Sequence, residues 1–334
     1  MATVNQSSDV RTLLDFAKET ENKKAAKIVQ MMEKKNPILR YLPYVPANDG
    51  TSHLTTRNIA LPTSSARMIN QGFAKSKGRS VQIKVGTTMF GVISQVDARL
   101  IDNSGDPAGH RLNMERSYIA GMANDQSDYL FYASNAADPR LFNGICTELG
   151  SLSGPYADQI IDAGGTGSDN TSVIFTVLGE DTIHGIFPQG SQVGLKTEDM
   201  GKNLVKDDEG KEYAAWQTLY EWDNGIVVRD PRYLCRIANI DVSNLATFGT
   251  ESDSSANLLR LFIEAYHRLE DLDAGVPVIL CNRAVKQWLD IQAMEKKNAA
   301  LGIMDVAGRP VTSFWQIPIE RTDSLLTTEA RVVA

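Results

Sequence analysis

No carboxylate interrupts the sequence between Asp49 and Asp97. The absence stands out because the chain as a whole is acidic. Its 34 Lys and Arg stand against 41 Asp and Glu over 334 residues, a net charge of −7. Cysteine is scarce: Cys146, Cys235 and Cys281 are far apart and odd in number, which excludes a disulfide framework and a zinc-ligand spacing. The four histidines, His53, His110, His184 and His267, occur in no HExxH or comparable ligand pattern. No apolar run approaches the roughly 20 residues that cross a bilayer, so no membrane partner is expected. The opening MATVNQSSDV is polar and lacks the apolar centre of a signal peptide. These absences lead us to expect a protein made and kept in a reducing cytoplasm, with its thiols buried.

Within the acid-free window, Thr55 to Gly86 carries Arg57, Arg67, Lys75, Lys77, Arg79 and Lys84. Six cations without an acid leave −13 for the rest of the chain, so positive charge is segregated along the sequence. Such asymmetry points to an anionic partner, or to an acidic surface on another copy of the chain. Nucleic acid would call for interleaved aromatics as stacking platforms. Only Phe73 and Phe90 are near, and the flanks are acidic. Cations spaced along extended arms fit pairing with carboxylates of a neighbouring subunit better, and such contacts set register and partner choice.

Periodicity organises the remainder. Ala25, Ile28, Val29 and Met32 share one helical face, and Pro37 predicts that this helix stops near Asn36. From Tyr41 to Val96 the reading is two extended arms joined at a tip near Gly72 to Gly78, with SVQIKVG (Val81, Ile83, Val85) as a half-buried strand. Asp106-Pro107 starts a helix running to about Asn135, with Leu112, Ile119, Met122, Ala123 and Leu130 on its apolar side. The glycine-rich stretch Asp162 to Ser172 reads as a loop before the strand SVIFTVLG. Trp216, Thr218, Tyr220 and Trp222 alternate as a strand, and Asn224-Gly225 predicts a hairpin turn after them. Tyr233, Cys235 and Ile237 continue that period of two. A second long helix is expected after Ser254-Ser255, with Leu258, Phe262, Ala265 and Leu269 facing the core. The strand Val276 to Cys281 follows, then Asn282 as a helix cap, then a helix with Ala284, Trp288 and Ile291 on one side. SFWQIPIERTDSLL reads as a strand ending in loop. The sum is an α+β chain without regular βαβ alternation.

Chemistry is sparse. The Gly164 to Gly167 run follows no clear strand, opens no helix and lacks the Lys-Ser/Thr of a P-loop. No serine occupies a G-x-S-x-G elbow. Cys281 lies at a strand end with no base to activate it, so it reads as a structural thiol, and Asp230 and Arg232 read as a salt-bridged turn. All four histidines read as surface or hydrogen-bonded residues. No catalytic, cofactor-binding or metal-binding residue is assigned, and no enzyme activity is expected.

Three blocks of the sequence carry a resemblance. KAAKIVQMMEKKNPILRYLPYVPANDGTSHLTTRNIALPTSSARMINQG, HGIFPQGSQVGL (His184 to Leu195) and GIVVRDPRYLCRIANID (Gly225 to Asp241) resemble major capsid proteins of tailed double-stranded DNA bacteriophages, in a short-tailed lineage that includes Bordetella phage. The resemblance implies a Hong Kong 97-type capsid fold. Residues 1–40 would form an N-terminal arm and 41–100 an extended β-hairpin loop. Residues 101–150 would form the spine helix and a peripheral-domain segment, and 151–334 the axial and remaining peripheral segments, in a strand order that can be rearranged within this lineage. It implies self-assembly into pentamers and hexamers of an icosahedral shell around packaged double-stranded DNA, held without sequence-specific contacts. Portal, scaffolding and cement proteins would be further partners. On this reading Arg57, Arg67, Lys75, Lys77, Arg79 and Lys84 are inter-subunit contacts. A covalent lysine–asparagine crosslink, known in part of the family, has no matching motif here. The competing reading is a nucleic-acid-binding protein that uses Arg57 to Lys84.

Overall fold

The run SVIFTVL (Ser172 to Leu178) lacks polar–apolar alternation, and the computed structural model shows why. The structure describes residues 37–99, 107–206, 210–243, 245, 258–294, 301–306 and 309–333. Strand β6 (Asn170–Leu178) lies inside a seven-stranded mixed sheet, and all nine of its residues are buried. It pairs antiparallel with β10 (Leu234–Asp241) on one side and β11 (Val276–Cys281) on the other. Beyond β10 lies β5 (Ile160–Asp162), and beyond β11 lies β14 (Ile317–Arg321), each parallel to its neighbour. β13 (Arg309–Phe314) and β12 (Leu301–Val306) complete the sheet. A strand covered on both faces has no wet side, so its sequence need not alternate. Its geometry still does: Ile174 and Leu178 enter one core, while Val173, Phe175 and Val177 enter the other.

The second of these cores lies under α4 (Leu258–Arg268) and α5 (Arg283–Met294). Phe175, Phe262 and Phe314 meet there edge to face, with ring centroids 5.0 and 5.5 Å apart along the chain of contacts. Leu258, Phe262, Ala265 and Leu269 are buried as their spacing requires. Asn282 caps α5, its Oδ1 accepting from the Ala284 amide at 3.0 Å.

The first core lies between the seven-stranded sheet and a five-stranded sheet built on β9 (Glu212–Val228). β4 (Thr88–Asp97) and β8 (Lys196–Lys206) pair with the first part of β9, and β7 (Ile183–Phe187) pairs with its end. β1 (Tyr44–Pro46) runs parallel to β7. α1 (Ile38–Tyr41), the 26-residue α2 (Pro107–Tyr132) and α3 (Ile145–Glu148) complete this core. Ile119, Met122, Ala123 and Leu130 of α2 are buried in it, beside Tyr220 and Trp222 of β9. α2 spans roughly 39 Å and stops at Tyr132, short of Asn135. From this body projects a two-stranded hairpin, β2 (Ser52–Ala60) and β3 (Arg79–Gly86).

Several expectations are corrected. Asn224-Gly225 makes no turn: β9 runs through it, and at this point hands over from β4 to β7. Asn224 is buried and donates to Gln126 of α2 at 2.8 Å. A Cβ on Gly225 would lie 3.0 Å from both the Gly86 carbonyl and Ile186, so glycine here serves a close approach and not a reversal. The tail is not a strand ending in loop. β13 and β14 form a hairpin through Trp315-Gln316, both with positive φ (44° and 69°). Neither residue signals such a turn; Trp315 stacks on Phe314 at 4.9 Å and meets Tyr266 at 4.8 Å, contacts that work against the roughly 1–2 kcal/mol per residue cost of left-handed backbone. On α5 the buried side chains are Val285 and Leu289, one position away from the Ala284, Trp288 and Ile291 face expected. The described part of α4 runs 11 residues and ends at Arg268. The glycine-rich loop does follow a strand, the short β5. The helix read over residues 25–36, the Asp106 and Ser254-Ser255 starts and the Leu112 side chain lie outside the described residues.

Candidate assembly surface

Alternation decides which side of the hairpin meets the body. His53, Thr55 and Arg57 occupy alternate positions of β2, and their cross-strand partners on β3 are Val85, Ile83 and Val81. Val85 packs against the first core, Ile83 is half-buried and Val81 is exposed, so contact with the body fades outward along the hairpin. The strand read as half-buried is so only near its root.

Arg57 belongs to that root. Its Nε donates to the Arg229 carbonyl at 2.9 Å, and its terminal nitrogens donate to the Val228 carbonyl and the Tyr156 hydroxyl. The guanidinium also lies over the Tyr156 ring, 5.4 Å from its centroid. Lys84 pairs with Asp49 of its own chain at 2.6 Å, and this contact holds the exposed Asp49 carboxyl below its usual range. The six cations therefore divide: Arg57 and Lys84 fasten the hairpin within its own chain.

The other four lie at its outer end. Thr63 and Ala74 donate their amides to the Ser76 and Ser65 hydroxyls, at 2.8 and 3.0 Å, so the two arms stay tied beyond the last ladder pair. The chain reverses at Met68 to Gln71, where the Gln71 amide bonds to the Met68 carbonyl and Asn70 has φ 69°. The reversal thus precedes the Gly72 to Gly78 stretch expected for it, because asparagine takes the left-handed position. Arg67 donates to the Gln71 carbonyl at 3.1 Å and lies over the Phe73 ring at 4.9 Å. Lys75, Lys77 and Arg79 are exposed and form no ion pair among the described residues. Leu61, Met68, Ile69 and Phe73 are exposed beside them, Ile69 at 91%. Apolar and cationic side chains exposed together on a projecting arm have the composition of an interaction surface.

Elsewhere the body offers little chemistry. All three cysteines are buried, and burial pushes each thiol up to about 12. Asp230 and Arg232 form the salt-bridged turn expected, at 2.7 Å, with Glu270 3.3 Å from the same guanidinium. Among the described residues no group of three or more His, Cys, Asp or Glu could hold a metal ion, and no helix is long and apolar enough to cross a membrane. His184 departs from expectation, being neither at the surface nor hydrogen-bonded. It is buried, and neither ring nitrogen meets a partner; the Glu180 backbone comes near without reaching hydrogen-bond geometry. Nothing in the local sequence around His53 or His184 signals that the two would meet.

The buried ionic centre also escaped the sequence reading. Arg236 of β10 pairs with Glu329 at 2.9 Å, the two side chains 5% and 4% exposed. Arg236 further donates to Ser172 and to the Cys146 and Leu149 carbonyls at the end of α3. Glu329 accepts from Tyr132 and Ser172. Burial pushes the Tyr132 phenol well above its ordinary range, so it remains a donor. The group welds the C-terminal segment to the long helix and the seven-stranded sheet.

Comparison with known proteins places this architecture. A chain from the structure of bacteriophage Epsilon15 is 32% identical over the whole length of both chains and superposes with a TM-score of 0.72. The bacteriophage JBD30 capsid gives 11% identity, 87% coverage of this chain, 91% of that one, and a TM-score of 0.49. No curated protein sequence matches. The sequence profile of the family described as major capsid protein GP7 matches residues 20–333. The projecting hairpin, the long helix and the two packed sheets are those of the Hong Kong 97-type phage capsid fold, and the chain belongs to the major capsid protein GP7 family, the shell-forming proteins of tailed phages.

Proposed function

We propose that the chain assembles as pentamers and hexamers of an icosahedral shell that encloses packaged double-stranded DNA, with the hairpin tip of each copy lying on the acidic surface of a neighbour. What carries this reading is the tip itself. Arg67, Lys75, Lys77 and Arg79 face no carboxylate of their own chain among the described residues, and they surround exposed Leu61, Met68, Ile69 and Phe73. An isolated two-stranded hairpin is marginal in water, so a ribbon this exposed calls for a surface to lie on. The cations give that contact its register, and the apolar side chains give it burial. Arg57 and Lys84, fastened at the root, act by fixing the angle at which the tip is presented.

In this account residues 1–40 serve as the arm and 41–100 hold the extended loop. Residues 101–150 hold the spine helix, and 151–334 form the axial and remaining peripheral segments. Within 41–100, β1 and β4 belong to the body sheet and β2–β3 to the projection. Each copy is one wedge of a ring, so its interfaces are heterologous and must close. A net charge of −13 outside the window suits a container that must not grip phosphates tightly. Portal, scaffolding and cement proteins are the expected partners, assembly takes place in the bacterial cytoplasm, and the three resembling blocks favour the short-tailed, Bordetella-phage-like lineage.

Electron microscopy of the chain expressed alone, and of a variant carrying Arg67→Glu, Lys75→Glu, Lys77→Glu and Arg79→Glu, tests the reading. Rings or shells from the wild type and small species from the variant support it. Normal shells from the variant remove the tip from the assembly contact. A wild type that stays monomeric and binds DNA with a steep loss in salt supports the nucleic-acid reading instead.

A further inference from the structure

The hairpin meets the body through an unusual pair of residues. His53 of β2 and His184 of β7 lie with ring centroids 5.3 Å apart and planes at 76°. His184 is 1% exposed. Both of its nitrogens, and Nδ1 of His53, have no hydrogen-bond partner. Buried polar groups are rarely left this way, and each such case asks for a reason. Further along β2, Arg57 clasps the Val228 and Arg229 carbonyls. On one flank of the pair lies the Arg229 side chain, paired with Asp181 from the turn before β7. Tyr44 of β1 lies against Gly185, and the side chain opposite His184 on β9 is the apolar Val227. The charged and titratable groups around the two rings are thus Arg57, Arg229, Asp181, Glu180, Asp230 with its partner Arg232, and the Tyr44 phenol. The Arg229 guanidinium beside the rings makes the position hostile to a metal cation, although imidazole is a common ligand. It makes the position equally hostile to imidazolium.

We propose that His53 and His184 form an acid-sensitive latch at the hairpin root: neutral, they let the hairpin lie on the body, and protonated, they drive it off.

The physical chain is short. A protonated His184 would carry two N–H donors and a charge into a buried position where the Glu180 backbone alone approaches as an acceptor, next to His53 and Arg229. Desolvation is the largest obstacle, followed by His53 and Arg229, and together they hold its pKa down at about 4. Burial and Arg229 lower His53 as well. Lifting β2 from β7 rehydrates both rings and removes the obstacle. Because the closed-state value is depressed, the closed state is favoured fully above the ordinary histidine value of 6.5 and loses that advantage as the pH falls towards 4. For His184 alone the opening equilibrium rises on the order of 100-fold between pH 7 and pH 4.5. The latch sits where Arg57 also holds, so release at the root changes the angle of the whole arm. The inference concerns contacts within one chain and stands apart from the role proposed for the tip.

Amide hydrogen exchange read by mass spectrometry, on assembled particles and on dispersed subunits and corrected for intrinsic pH dependence, tests the latch. The expected result is a fall in protection of about two orders of magnitude across residues 52–57 and 183–187 at pH 4.5 relative to pH 7, with the β6–β10–β11 strands unchanged, and a response flattened in His184→Leu. An unchanged response in His184→Leu, or none in the wild type, overturns it. Should His184→Leu fail to fold, exchange of the imidazole C2 hydrogen in the wild type decides. Titration of His184 far below the ordinary histidine value of 6.5 supports the latch, and a value near 6.5 refutes it.

Discussion

Arg236→Met is the perturbation whose cost the structure fixes most tightly. The guanidinium makes four contacts from a side chain that is 5% exposed: Ser172 at 3.0 Å, the Cys146 and Leu149 carbonyls at 2.9 and 2.8 Å, and Glu329 at 2.9 Å. Methionine fills much of the volume and satisfies none of them. Stranding one member of a buried ion pair costs about 3–5 kcal/mol. Orphaning the two carbonyls at the end of α3 adds about 1 kcal/mol or more each. Two hydroxyls remain to the carboxylate, Tyr132 and Ser172, and they relieve part of that. The expected loss is about 4–6 kcal/mol, a large share of the 5–15 kcal/mol typical of a folded domain. Urea unfolding of dispersed subunits, followed by tryptophan fluorescence, measures it. The same substitution in a Glu329→Leu background should cost a few kcal/mol less, because no charge is then stranded. A loss below about 1 kcal/mol for Arg236→Met, or the same loss in both backgrounds, would refute the reasoning.

Gly185→Ala puts a Cβ 2.5 Å from the Tyr44 ring, so β1 must move off β7; a loss of about 1–3 kcal/mol is expected in the same unfolding assay. The three thiols, buried and raised to about 12, should resist a disulfide-exchange reagent at pH 8 in the native chain and react together once it is unfolded. Phe262→Ala empties the middle of the aromatic trio and should cost about 3–5 kcal/mol by the same denaturation. Arg57→Gln should raise hydrogen exchange across β2 at neutral pH while leaving the seven-stranded sheet protected, since its three contacts join hairpin to body.

Much of the fold was legible where a pattern reports a single wet face. α2 and α4 declared their buried residues through helical spacing, and the strand Val276 to Cys281 with its Asn282 cap was readable to the residue. Legibility failed where one residue serves two ends. Asn224-Gly225 has turn chemistry, yet asparagine is spent on Gln126 and glycine on a close approach. Trp315-Gln316 lacks turn chemistry, yet aromatic packing holds it in one. The hairpin was visible as a charge vacuum, but not the division of its cations between root and tip, because Arg57 finds backbone carbonyls 171 and 172 residues away. The Arg236–Glu329 pair and the His53–His184 contact are likewise long-range, and no local spacing announces them. Family resemblance supplied the architecture that periodicity alone left as an α+β chain.

The account turns on where the tip cations lie in the assembled particle. A cryo-electron microscopy map of shells formed by the chain answers that directly. The account predicts Arg67, Lys75, Lys77 and Arg79 within about 4 Å of carboxylates of an adjacent copy, the distance of an ion pair, with Ile69 and Phe73 covered. A map in which the tip stands free in solvent, or lies against DNA within the shell, would contradict it.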